Sequence, residues 1–130
     1  PHAVPKPLSP EKARAVAKAD ALATDETPRW VLARDQAVLT LLYACGLRIS
    51  EALNLTTAQS EATTLSIIGK GNKTRLVPLL PIARQAVALY RDICPFALKP
   101  AEPMFRGVKG GPLNARNIQL LIARKHQKAG

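Results

Sequence analysis

Two short basic segments, Gly46-Leu47-Arg48-Ile49-Ser50-Glu51 and Gly69-Lys70-Gly71-Asn72-Lys73-Thr74-Arg75, hold the residues best suited to chemistry. A guanidinium is planar and always charged, so Arg48 can hold two oxygens of an anion at once. Lys70 offers an ammonium between two glycines, in what reads as a turn. Competing constellations fail on inspection. The two histidines, His2 and His126, lie at opposite ends, no Cys-x-x-Cys exists, and the carboxylates are too scattered for a metal cluster. Gly69-Lys70-Gly71 looks like a fragment of a phosphate loop, but it lies between two predicted strands and lacks the Gly-Lys-Ser/Thr ending that opens a helix. Taken singly, an arginine after a helix stop is usually a surface ion pair, and a lysine between glycines is usually a solvated turn. Only their joint occurrence in order carries weight.

The charge distribution narrows the partner. The formal charge is +10 and the pI about 10.2. No acid follows Glu102, while Arg106, Lys109, Arg116, Arg124, Lys125 and Lys128 do, and the acid-free stretch between Glu61 and Asp92 holds Lys70, Lys73, Arg75, Arg84 and Arg91. A polyanion is the natural partner. By composition alone, a merely solubilising surface or an acidic membrane surface remains open. Aromatic residues at 4% leave little for base stacking of the single-strand kind. Apolar residues at 47% support a folded globule, and 130 residues suit one core. Cys45 and Cys94, each in an apolar setting, read as reduced thiols of a cytoplasmic protein. No apolar run is long enough for a membrane helix.

These residues must be positioned by elements the sequence also announces. The proline-rich opening, residues 1–8, reads as an extended interdomain linker. Ser9 and Pro10 then open a helix to about Leu22. A stronger helix starts with Thr27 as cap and Pro28 just inside, carries the apolar row Val38, Leu41, Leu42 and Cys45, and stops at Gly46 as a left-handed residue. Residues 47–53 form a short helix with Leu47, Ile49, Ala52 and Leu53 inward and Arg48 at its start, close to the core. Segments 63–68 and 74–79 form a β-hairpin around Gly69 to Lys73, with Pro78 at an edge. Pro81 opens a helix with Ile82, Ala86, Leu89 and Ile93 on its buried side. Met104-Phe105 suggests a short strand. Asn114 caps a last helix, to Gly130, with Ile118, Leu121 and Ile122 inward. Tyr43 and Tyr90 read as core or partly buried packing residues. The fold class is mainly α with a small antiparallel β-sheet (α+β).

With these elements in place, Leu42-Tyr43-Ala44-Cys45-Gly46-Leu47-Arg48-Ile49-Ser50-Glu51 and Ile68-Gly69-Lys70-Gly71-Asn72-Lys73-Thr74-Arg75-Leu76-Val77-Pro78-Leu79 together resemble the tyrosine recombinases of the bacterial Xer and phage-integrase kind. In that family Gly-Leu-Arg-x-Ser-Glu bears the first catalytic arginine and the hairpin Gly-Lys-Gly-x-Lys the catalytic lysine, which map onto Arg48 and Lys70. The resemblance implies that residues 9–130 are the front part of a catalytic domain. It implies that Arg48 stabilises the charge of a pentacoordinate phosphorus transition state. It implies further that Lys70, reaching the minor groove, protonates the departing 5′ oxygen.

Glu51, on the same side of the short helix, is expected to hold the Arg48 guanidinium. Lys73 and Arg75 are expected to meet backbone phosphates. In the last helix, family analogy places Asn114, Arg116, Asn117 and Gln119 in the major groove, with Arg116 the best base reader and Arg124, Lys125 and His126 nearer phosphates. The implied partners are double-stranded DNA and, in the full-length protein, further recombinase protomers in a synaptic tetramer. No metal or nucleotide cofactor is implied. The family's later motifs, a His-x-x-Arg segment and a nucleophilic tyrosine, do not occur in these 130 residues. The expectation is therefore a recombinase whose 130-residue piece alone is inactive. The alternative is a non-catalytic DNA-binding module left from a truncated integrase.

Overall fold

The computed structural model describes residues 27–129. The predicted linker over 1–8, the predicted helix from Ser9 to Leu22 and the terminal Gly130 lie outside the described residues. In chain order the described elements are α1 (Arg29–Tyr43), α2 (Ile49–Leu53), the strands β1 (Thr64–Ile68) and β2 (Thr74–Pro78), α3 (Pro81–Ile93) and α4 (Ala115–Ala129). The α+β class read from the sequence is the one observed.

Helix α1 is the central element because its second half is buried on nearly every side. Val38, Leu39, Thr40 and Leu41 are buried in succession, which only a helix packed on several sides tolerates. The buried Thr40 hydroxyl donates to the Gln36 carbonyl at 2.7 Å, so no polar group is stranded. The helix starts one residue later than expected, with Pro28 in the N-cap position. It ends at Tyr43, shortly before the predicted stop Gly46, which has φ +73°, a conformation that costs residues with a Cβ. The Leu47 amide then turns back to the Leu41 carbonyl at 3.2 Å. Leu47 is thereby buried, and the chain enters α2, whose Ala52 and Leu53 are buried too. α1 packs most extensively on α3, while α2 touches α1 and α4.

Strands β1 and β2 pair antiparallel, with Leu65 opposite Val77, Ile67 opposite Arg75 and Ile68 opposite Thr74. Alternation sends Leu65, Ile67, Val77 and Leu79 into the core and leaves Ser66, Ile68 and Leu76 outside. The connecting loop turns through Gly71 (φ +70°) and Asn72 (φ +58°) and is closed by the Gly69 amide donating to the Lys73 carbonyl at 2.8 Å.

Three expectations are corrected here. Helix α3 buries Ala83, Val87 and Tyr90, followed by Cys94, while Ile82 is 60% exposed and Leu89 also faces out. Both stripes have helical spacing, so period alone does not choose between them. Tyr90 decides, because its ring is the largest fully buried side chain among the described residues and its hydroxyl finds two main-chain partners, the buried Met104 O at 2.8 Å and the partly buried Arg106 N at 3.0 Å. Met104 and Phe105 form no strand. Their segment makes isolated bridges, Thr56 with Pro103 and Arg106 with Pro112, and both side chains are fully buried. Tyr43 is 68% exposed at the last turn of α1, so only Tyr90 is the packing residue expected.

Candidate active site

Arg48 stands at the N-cap of α2 in extended conformation (φ −78°, ψ 158°), where the turn after Gly46 delivers it. The residue is exposed, at the surface rather than close to the core. Three residues on, the Glu51 carboxylate folds back over the helix start, and its Oε1 accepts the Arg48 main-chain N–H at 2.9 Å. This is the carboxylate half of a capping box, satisfying an amide that the helix cannot.

The same carboxylate is gripped from the hairpin. Arg75 Nη2 donates to Oε1 at 2.7 Å and Nη1 to Oε2 at 2.9 Å, a two-pronged pair in which the Glu51 side chain is 10% exposed and that of Arg75 41%. The hydrogen bonds from Arg75 hold the Glu51 carboxyl down at about 2, helped by the Arg48 amide and by the positive charges of both arginines, against the opposing effect of burial. Glu51 reciprocally raises Arg75. Glu51 thus supports Arg48, as expected, but through its backbone. The guanidinium it binds is that of Arg75.

Lys70 sits in the hairpin loop, and Lys70, Gly71, Asn72 and Lys73 are all exposed. Among the described residues, neither the Arg48 guanidinium nor the Lys70 and Lys73 ammonium groups has a hydrogen-bonding or ion-pairing partner. Arg75, expected to meet a phosphate, has its charge matched by Glu51. Strand parity is the signal that finds this. Arg75 shares the inner face with Val77 and pairs with the buried Ile67, so its side chain starts toward the body of the protein.

On α4, Asn114 caps the helix as predicted, its Oδ1 accepting the Asn117 amide at 3.0 Å. Ile118 is fully buried and Leu121 and Ile122 half-buried, while Arg116, Asn117, Gln119, Arg124 and Lys125 are exposed. α2 and α4 are in contact, but the structure brings none of these α4 side chains into the Arg48–Glu51–Arg75 cluster. Other basic residues are structural. Arg106 donates to the Pro103 and Gly110 carbonyls and to Glu102, and Arg91 to Ser60 and Glu61. Arg34, almost wholly buried, is held by Asp35 and the Arg106 carbonyl. Sequence reasoning had singled out none of these three for structure. Among the described residues, the arrangement therefore offers cations without ion-pair partners on two separate elements, joined by an internal and neutralised ion pair. Each can receive an oxygen of an anion.

The sequence model described as the phage integrase family matches residues 18–130. Tyrosine recombinase XerC of Brucella suis is 54% identical over 122 residues, covering 92% of this chain and 38% of that protein. The protein of the same name from Brucella melitensis is 53% identical over 122 residues, with the same coverage. That from Agrobacterium fabrum is 51% identical over 121 residues, again 92% of this chain and 38% of the relative. The chain spans about two-fifths of the length of these curated relatives.

Proposed function

This chain belongs to the phage integrase family, and from that membership we propose that it is the front part of the catalytic domain of a site-specific tyrosine recombinase. In the full-length protein, a tyrosine oxygen attacks the scissile phosphorus of double-stranded DNA, forming a 3′-phosphotyrosyl bond and releasing the 5′ oxygen as a hydroxyl. Rejoining reverses these steps, so the bond energy is kept in the ester and neither metal nor nucleotide is consumed. Arg48 holds non-bridging oxygens as charge builds on them. Lys70 gives its proton to the leaving oxygen. Lys73 and the outward face of α4, with Arg116, Asn117, Gln119, Arg124 and Lys125, grip and read the duplex. The protein works in the cytoplasm, on DNA, as one protomer of a synaptic tetramer.

One observation carries this reading. Arg48 and Lys70 are exposed, and among the described residues their side chains have no hydrogen-bonding or ion-pairing partner, on two elements tied to each other by Glu51 and Arg75. Evolution of a merely stable surface gives no reason to brace two unpaired cations in this way.

The test is cleavage of a nicked duplex by the full-length protein in the presence of a chelator. Arg48→Ala and Lys70→Ala are each expected to slow formation of the covalent adduct by about a hundredfold or more, with much smaller changes in DNA affinity. The 130-residue chain alone should form no adduct. Tyr90 is buried, and Tyr43, though exposed, precedes Arg48, whereas the resemblance puts the nucleophile well after it. Normal cleavage by both variants, or an adduct on Tyr43, overturns the proposal.

A further inference from the structure

A general acid at a hairpin tip works only if the tip is held in place, since an error of about 1 Å in a reacting group costs on the order of a hundredfold in rate. The loop bearing Lys70 is exposed throughout, and its own bond, Gly69 to Lys73, ties the loop to itself rather than to the protein. We propose that the Glu51–Arg75 pair is the brace that sets Lys70 against Arg48, making Arg75 a positioning residue rather than a phosphate contact. This inference rests on the recombinase reading given above.

Four observations converge on it. First, Arg75 lies opposite Ile67 and on the face of Leu65 and Val77, so strand parity points its stem inward, away from a DNA-facing edge. Second, both terminal nitrogens of Arg75 are committed to one carboxylate, a fork geometry that a lysine cannot reproduce. Third, Glu51 Oε1 accepts from Arg75 and from the Arg48 main chain together, so one oxygen bridges the arginine-bearing turn and the lysine-bearing hairpin. Fourth, Arg75 Nη1 lies 3.7 Å from where a Cβ on Gly69 would sit, which places the guanidinium directly against the residue preceding Lys70. The brace is thus the last fixed point on the protein before the tip. The lowered pKa of Glu51 agrees with it, since the carboxylate stays ionised at any pH at which DNA is handled.

The experiment uses the full-length protein and a duplex site recovered from a random-sequence library by that protein. The duplex is nicked and prepared with either oxygen or sulfur as the 5′-bridging atom of the scissile phosphate. In both, the tyrosine oxygen bonds to phosphorus as the bond to the bridging atom breaks. Oxygen leaves with a proton from Lys70, whereas sulfur keeps the electron pair as a thiolate and needs no proton. Lys70→Ala, Arg75→Gln and Glu51→Gln should each cleave the oxygen substrate about tenfold to a hundredfold more slowly and the sulfur substrate at close to the wild-type rate.

For Arg75→Gln, DNA affinity should change by less than about threefold and the slope of log affinity against log salt should stay unchanged, because no phosphate contact is lost. Glu51→Gln keeps an acceptor for the Arg48 amide, so it carries the test if Arg75→Gln does not fold. Sulfur rescue of Lys70→Ala without rescue of the two brace variants overturns the brace while leaving the recombinase reading intact. A salt slope shallower by about one for Arg75→Gln also overturns it, in favour of a phosphate contact. Failure of sulfur to rescue Lys70→Ala removes the general-acid assignment, and the brace falls with it.

Discussion

Glu51 is a single carboxylate asked to satisfy a backbone amide and a guanidinium at once, and its acidity reports how well it does so. Its carboxyl is lowered from 4.5 to about 2, chiefly by the Arg75 hydrogen bonds. A carboxylate whose folded value is depressed contributes stability that is fully present above the unfolded value and is lost as pH falls through the folded one. The window is therefore from 4.5 down to about 2. Wild type should exceed Glu51→Gln in urea midpoint by a margin that narrows between about pH 5 and about pH 3. A margin that stays constant over that interval would show that the pair does not couple to folding. The places of Arg48 at a helix start and of Lys70 in a hairpin loop were legible in the sequence because the signals around them, a helix stop and a glycine-flanked loop, are local. The partner of Glu51 was not, because it lies 24 residues away and is reached only once the register of the hairpin is known. The basic type of Arg75 then suggested a phosphate where the fold supplies a carboxylate.

At the scale of elements, the turn between α1 and α2 is what presents Arg48, and Gly46 makes it possible. A Cβ there would meet no atom within 4 Å, so the cost of substitution is conformational alone. Gly46→Ala should lower stability by about 1 kcal/mol, and Gly46→Asn by less, because asparagine enters the left-handed region more readily. Equal losses in chemical denaturation for both variants would mean that a contact, not the backbone, sets the cost. This stop, the hairpin and the Asn114 cap could be read directly, since each depends on side chains acting on their own neighbouring backbone. The face of α3 could not. Two stripes of equal period, one through Ile82 and Leu89 and one through Ala83 and Tyr90, differ by a rotation that only the partners of the helix select. Met104 and Phe105 misled for a related reason. Buried apolar residues in a run suggest a strand, but here the segment threads between elements, and its Met104 amide bonds to the Leu55 carbonyl at 2.9 Å without a ladder on either side.

The molecule as a whole joins two regions of different character, the cluster bearing Arg48 and Lys70 and the basic outer face of α4, through a core in which one polar group matters most. Tyr90 is fully buried, and burial, reinforced by the neighbouring Cys94, pushes its phenol far above the ordinary value. It is therefore neutral at every working pH and always both donor and acceptor. It donates to the Met104 carbonyl at 2.8 Å and accepts the Arg106 amide at 3.0 Å, while Arg34 reaches the Arg106 carbonyl at 3.1 Å. These bonds fasten α3 and α1 to the segment that runs into Leu113 and the start of α4. Tyr90→Phe keeps the ring and its contact with Phe105, 5.2 Å between centroids, and removes only the hydroxyl. Two main-chain groups, one buried and one partly buried, would then be left without their partner, at a cost of about 2 kcal/mol. The intact protein should show that loss as a lower urea midpoint with an unchanged slope, since the surface exposed on unfolding is the same. On the proposed recombinase reading it should also bind DNA less tightly in proportion to the loosening of α4, while cleavage of DNA already bound stays near wild type, because neither Glu51 nor Arg75 touches this node. A variant that instead lost cleavage and kept affinity would mean that the core holds the Arg48 and Lys70 elements more directly than α4, and the division of the molecule into two separately anchored regions would have to be abandoned.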